Sequence, residues 1–149
     1  MTDFDAIAQG MTGAVPFAGH LGLEITSVGE GEATVRLPDR DELTNHVGSQ
    51  HAGGLFTVAE TASGAAFVGA FAARMGDLTP LARSAEISYD KVAKGPVTAK
   101  AKLGISPAKA HEILDADGKV EFPCDVELTD ADGNAVAAAN VRWHVRLKR

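Results

Sequence analysis

Apolar and polar positions change rhythm three times along the chain. Between residues 3 and 13, Phe4, Ile7, Ala8 and Met11 share one side of a short helix, and Pro16 marks its end. From His20 to Val28, and again from Glu32 to Leu37, apolar and polar residues alternate. A tight turn at Gly29 to Gly31 joins the two runs, which predicts an antiparallel hairpin. A charged loop (Pro38 to Glu42) and a polar loop (Asn45 to His51) follow. Then alternation stops. Ala52 to Ala73 is small or apolar almost throughout, the pattern of a helix buried all round. Beyond it, Ala82 to Val92, Val97 to Ile105, Val120 to Leu128 and Ala135 to Leu147 predict about four strands. Turns at Lys94 to Pro96, Asp117–Gly118 and Asp130 to Gly133 separate them. Pro123, inside the third, predicts an edge position or a bulge, because proline cannot donate to a ladder. Ser106 to Lys119 fits either a helical turn or an irregular crossing.

A helix with no polar face must be wrapped, not merely covered. The order of two strands, one long helix and about four strands therefore predicts an α+β fold. One curved antiparallel sheet wraps the central helix in a single domain over residues 1–149, with 1–17 as an N-terminal helical segment. The length suits one domain.

Composition narrows the function classes. Net charge is −6 and basic residues are scattered apart from a short C-terminal cluster, which argues against nucleic acid as a partner. The single cysteine, Cys124, rules out an internal disulfide and fits a reducing, cytoplasmic compartment. The N-terminus starts acidic without a long apolar core, so it does not read as a secretory signal. The run from Ala52 to Ala73 is long enough to raise a membrane span. It is mostly Ala and Gly with only six larger apolar residues, so a helix buried in protein is the better reading.

Glu60 is the only ionisable side chain in that run. Burying a carboxylate without a partner is costly and raises its pKa, which makes Glu60 the first catalytic candidate, as general base or nucleophile. The competing reading is a structural anchor bonded to nearby polar groups. Thr57, Ser63 and Gly64 lie one turn away on its face, as local partners or as substrate contacts. The helix start near Ala52 and Gly53 offers unpaired N–H groups and the positive dipole end, suited to stabilising an oxyanion. Asn45 reads equally as a holder of water or of Glu60 and as a turn former. His51 is a catalytic candidate that would orient the loop or contact the thioester region, although a lone His just ahead of a helix is more often structural. No second His or Cys sits at ligand spacing from it, so no metal site is expected.

Asn45, Gly48, His51, Gly53 and Glu60, in this order and spacing, resemble the start of the central helix in hotdog-fold proteins. The closest likeness is to PaaI-like acyl-CoA thioesterases, relatives of 4-hydroxybenzoyl-CoA thioesterase. In that family a Gly follows the His, and here the position is Ala52. The resemblance implies a hotdog fold and hydrolysis of an acyl-CoA substrate at sites between paired subunits of a homodimer or homotetramer. It implies no cofactor beyond the coenzyme A of the substrate. It also implies that Arg83, Lys91 and Lys94 meet the coenzyme A phosphates; the plain alternative is a solvated strand edge. Two rival readings share the fold. One is a non-catalytic module that binds an acyl thioester or another apolar ligand. The other is a dehydratase or hydratase, which needs a His–Asp or His–Glu pair that no motif in the sequence supplies.

Overall fold

The computed structural model describes residues 1 to 149. Helix α1 (Phe4–Met11) and the short α2 (Pro16–His20) lead into β1 (Glu24–Gly29) and β2 (Glu32–Leu37). The central helix α3 (Ala52–Phe71) follows. It ends in a 3-10 turn, Ala72–Asp77, that runs directly into β3 (Leu78–Tyr89). Then come β4 (Val97–Leu103), α4 (Pro107–Asp117), β5 (Lys119–Thr129) and β6 (Ala135–Leu147). The six strands form one antiparallel sheet in the order β1-β2-β4-β5-β6-β3.

The sheet wraps α3 because its strands alternate. Val97, Ala99, Ala101 and Leu103 of β4 and Val120, Phe122, Cys124, Val126 and Leu128 of β5 are buried, with exposed or half-buried residues between them. On α3, Leu55, Val58, Ala59, Ala62, Ala66, Phe67 and Phe71 fill the concave side. The helix is thus a core helix, although its length and composition alone would let it cross a membrane. Gly69 sets how closely it approaches the hairpin: a Cβ there would overlap the Gly29 carbonyl oxygen. Cys124, buried between β4 and β6, has its thiol pushed up to about 12 by burial, with Asp125 adding to the effect, so it packs as a small apolar side chain.

Two boundaries differ from the sequence reading, one open segment is settled and the place of Pro123 is corrected. His20 closes α2, whose first residue is Pro16, so β1 starts only at Glu24. β3 begins at Leu78, not Ala82, and ends at Tyr89. Residues 107–117 form a helix. Ser106 accepts from the Lys109 amide at 3.1 Å, Pro107 takes the first position and Gly118 ends it at φ 74°. Pro123 lies in a central strand, paired with Arg142, and the ladder runs through it without a bulge. Its carbonyl accepts from Gly104 at 2.8 Å, just past the end of β4. The missing N–H therefore faces a side where the ladder has already stopped.

Two polar clusters lock α3. At its C-terminal end, Arg74 donates to His111 Nδ1 at 3.2 Å and pairs with Asp115 at 2.7 Å. An arginine can only donate, so the His111 proton sits on Nε2 and goes to the Ala70 carbonyl at 2.8 Å. In the core, Trp143 Nε1 donates to Ser63 Oγ at 3.1 Å, and that hydroxyl donates to the Glu60 backbone carbonyl at 2.7 Å. Ser63→Ala strands a buried indole N–H and is expected to lower stability by about 1–3 kcal/mol in urea titration. In a Trp143→Phe background the same change should cost clearly less; an unchanged cost would show that the bond contributes nothing.

Candidate active site

The loop before α3 is held by its own polar groups. An isolated bridge between Thr44 and Gln50 closes it, and Gly48 adopts φ 75° inside it. Asn45 Oδ1 accepts from the Val47 and Ser49 amides at 3.0 and 3.1 Å. Its Nδ2 donates to Ser49 Oγ at 2.9 Å and to the Gln50 carbonyl at 3.4 Å. Asn45 is therefore the turn former of the loop, and none of its hydrogen bonds reaches Glu60. Buried Gln50 fastens the loop to the body. Its Nε2 donates to the Pro38 carbonyl at 3.0 Å and the Gly95 carbonyl at 2.8 Å.

His51 is the N-cap of α3, and its Nδ1 accepts from the Gly53 amide at 2.8 Å. This corrects one expectation: the Gly53 N–H is occupied within the chain. The unpartnered amides at the helix start are Ala52, which is exposed, and Gly54, which is buried. Tyr89, the only tyrosine, donates its hydroxyl to the Ala52 carbonyl at 3.2 Å and braces this first turn. The Thr57 hydroxyl is spent on the Gly53 carbonyl at 2.7 Å.

Two turns further along, Glu60 is half-buried and its carboxylate has no hydrogen-bond or ion-pair partner in the chain. Burial alone pushes its pKa above the ordinary carboxylate range. The anchor reading needed a polar partner for that carboxylate. The nearest candidate, Ser63, faces the core, fully buried, and bonds the Glu60 backbone instead. That also corrects Ser63 as a substrate contact. Gly64 and Glu60 both line an apolar cavity of about 220 Å³, walled by Phe67, Val68, Trp143 and Met11. Trp143 and the α1–α2 segment carried no motif. The only sequence signal was that the chain has a single tryptophan, in its last strand.

The basic candidates separate. Lys91 lines a second cleft of about 380 Å³, shared with Ala52, Tyr89 and Val92 at the helix start. Lys94 is exposed in the turn before β4. Arg83 lies on β3 and pairs with Glu121 at 2.7 Å, so it is not a free cation beside the helix start. Strand register also joins two residues far apart in sequence: His144 Nδ1 lies 2.9 Å from Glu121 Oε1, directly across β5 and β6. The hydrogen bond from His144 holds the Glu121 carboxyl below its usual range, with Arg83 adding to it. This His–Glu pair is outside the Glu60 cavity, and Trp143, the inward neighbour of His144, lines that cavity.

The raised pKa of Glu60 has a thermodynamic consequence. A carboxyl that holds its proton more tightly folded than unfolded contributes stability below its ordinary pKa of 4.5. That contribution is lost as pH rises through the folded value. Glu60→Gln, always neutral, should therefore match or exceed wild-type Tm at pH 7, with the difference closing near pH 4. A mutant clearly less stable at pH 7 would restore the anchor role.

Residues 5–145 match the family described as Domain of unknown function, DUF4442. The chain belongs to this family. No curated protein matches it in sequence. Among solved structures, this DUF4442 chain is similar to a Pseudomonas aeruginosa protein of unknown function described as a probable thioesterase. The identity is 26%, with a TM-score of 0.86, over 97% of this chain and 95% of the other. The Escherichia coli PaaI protein, from the phenylacetic acid degradation operon, is 26% identical with a TM-score of 0.67, over 85% and 86% of the two chains. A thioesterase family protein from Silicibacter pomeroyi, 18% identical with a TM-score of 0.77 over 98% and 100%, shares the fold. The architecture of this DUF4442 protein is the hotdog fold, and its structural neighbours are hotdog proteins of the thioesterase type.

Proposed function

We propose that this DUF4442 protein hydrolyses an acyl-CoA thioester to free acid and CoA. The observation that carries the reading is Glu60, a half-buried carboxylate with no partner, at an apolar cavity on the central helix of a hotdog fold. As a base, Glu60 takes a proton from water while the water oxygen attacks the thioester carbonyl carbon. The oxyanion collapses, the C–S bond breaks and the CoA thiolate takes up a proton. As a nucleophile, Glu60 attacks the same carbon, expels the thiolate and forms an anhydride that water opens. Either route develops negative charge on the carbonyl oxygen, which needs donors such as the free Ala52 amide and the dipole of α3.

One chain does not supply both groups to one carbonyl. Ala52 and Glu60 are eight residues apart, ~12 Å along the helix, whereas a reacting carbonyl must meet both within ~3 Å. Two chains paired with their α3 helices antiparallel bring the helix start of one to Glu60 of the other. The sheet edge supports pairing of copies. β3 is a twelve-residue edge strand, exposed along most of its length, with Leu81 and Tyr89 uncovered and Val92 exposed beside Tyr89. Lys91, beside Ala52, is the basic residue best placed to meet CoA phosphates. Turnover of short, long and aromatic acyl-CoAs tests the reading, with a thiol-reactive dye detecting free CoA. Release of CoA by wild type supports it. Binding of acyl-CoA without release would favour the non-catalytic module.

A further inference from the structure

The cavity at Glu60 has a shape as well as a polarity. On α3 it is lined from Glu60 through Thr61, Gly64 and Phe67 to Val68, and Met75 continues the wall beyond the helix. Glu60 to Val68 spans eight residues, or ~12 Å of helix. These positions recur at i, i+1, i+4, i+7 and i+8, so the cavity follows one face of the helix over that length. The carboxylate is the only ionisable group on the wall and stands at the end nearest the start of α3. Away from it the wall is apolar: Phe67 and Trp143 stack at 5.6 Å and 11°, and Thr12 has spent its hydroxyl on the Ala8 carbonyl at 3.0 Å. The one unspent hydroxyl on the wall, Thr61, stands beside Glu60, so a ring with polar substituents finds no donor at the far end. A cavity of about 150 Å³ holds the six carbons of benzene, so 220 Å³ holds about nine.

We propose that this cavity is a measuring pocket for a linear, saturated acyl chain of about eight or nine carbons. The thioester end lies at Glu60 and the tail runs along α3 toward Val68 and Met75, beneath the α1–α2 segment. This rests on the hydrolase reading only for what the chain is attached to.

The test uses uncharged chains and reads Trp143, the sole tryptophan, so it needs no turnover. Straight-chain alcohols from butanol to tetradecanol are titrated against full-length protein while Trp143 emission is followed. Affinity should rise about fourfold per methylene, break at eight or nine carbons and then level or fall. Octanol should bind more tightly than 2-phenylethanol. In Val68→Phe the break should move down by two or more carbons, with butanol binding unchanged within about twofold. Gly64→Ala serves as a second variant. Its new methyl meets the Trp143 ring at an ordinary 3.5 Å, and the helix gains from losing a glycine, so folding is safe. It should shift the break down by about one carbon. A flat series, a rise continuing past twelve carbons, tighter binding of 2-phenylethanol, or a break that neither variant moves would overturn the proposal. A break at eight or nine carbons without hydrolysis of any acyl-CoA would leave the pocket standing and remove the hydrolase reading. Hydrolysis with a flat alcohol series would do the reverse.

Discussion

Glu60→Gln is expected to lower acyl-CoA turnover by about a hundredfold or more, the scale of a lost general base or nucleophile. The substitution keeps the shape and the helix preference of the side chain but removes the group that takes the proton or attacks carbon. Because the carboxylate bonds nothing in the chain, its loss breaks no contact. The mutant should therefore fold with a native spectrum and a Tm at pH 7 no lower than wild type. This combination separates chemistry from structure. Wild-type turnover in a folded Glu60→Gln protein would remove Glu60 from the reaction. The same carboxyl should also shape the pH profile: kcat/KM should rise on an acid limb whose midpoint lies above 4.5, the direction in which burial moves the group.

Ala52→Pro is expected to cost about 10²–10³ in kcat, the scale of one lost oxyanion donor. The fold should accept it. Ala52 is the first residue of α3, a position proline favours, and its N–H has no partner to lose. His51 before it already has φ −67° and ψ 142°, the extended conformation that a following proline requires. Ala52→Gly keeps the donor and removes only the Cβ, so it should retain at least wild-type activity. Wild-type rates in folded Ala52→Pro would show that the amide does not face the reacting oxygen.

How far the sequence reveals this site differs from residue to residue. α3 is legible because its long run has no polar face, and Glu60 stands out as the one charge in that run, which the structure places half-buried at a cavity. The wrapped sheet follows from the absence of a polar face on that helix. α4 was legible in principle, since Ser106, Pro107 and Gly118 are a full set of start and stop signals, but its polar surface gives little amphipathic pattern. Pro123 misleads because a proline is excluded by the hydrogen bond it would have to make, and β4 ends just before that bond is due. Gly53 misleads because the sequence shows a histidine before the helix but not that its ring turns back onto that amide. The Glu121–His144 pair and the Trp143 wall depend on strand register, which no local pattern contains.

The central claim is that two chains share each site, with the helix start of one facing Glu60 of the other. The direct measurement mixes folded, inactive Glu60→Gln and Ala52→Pro proteins and lets subunits exchange, with exchange verified by mass spectrometry of differently tagged chains. In a mixed dimer one site collects both lesions and the other none. The account predicts that activity returns with mixing, approaching half that of a wild-type dimer per mixed dimer. Verified exchange with no return of activity would contradict it.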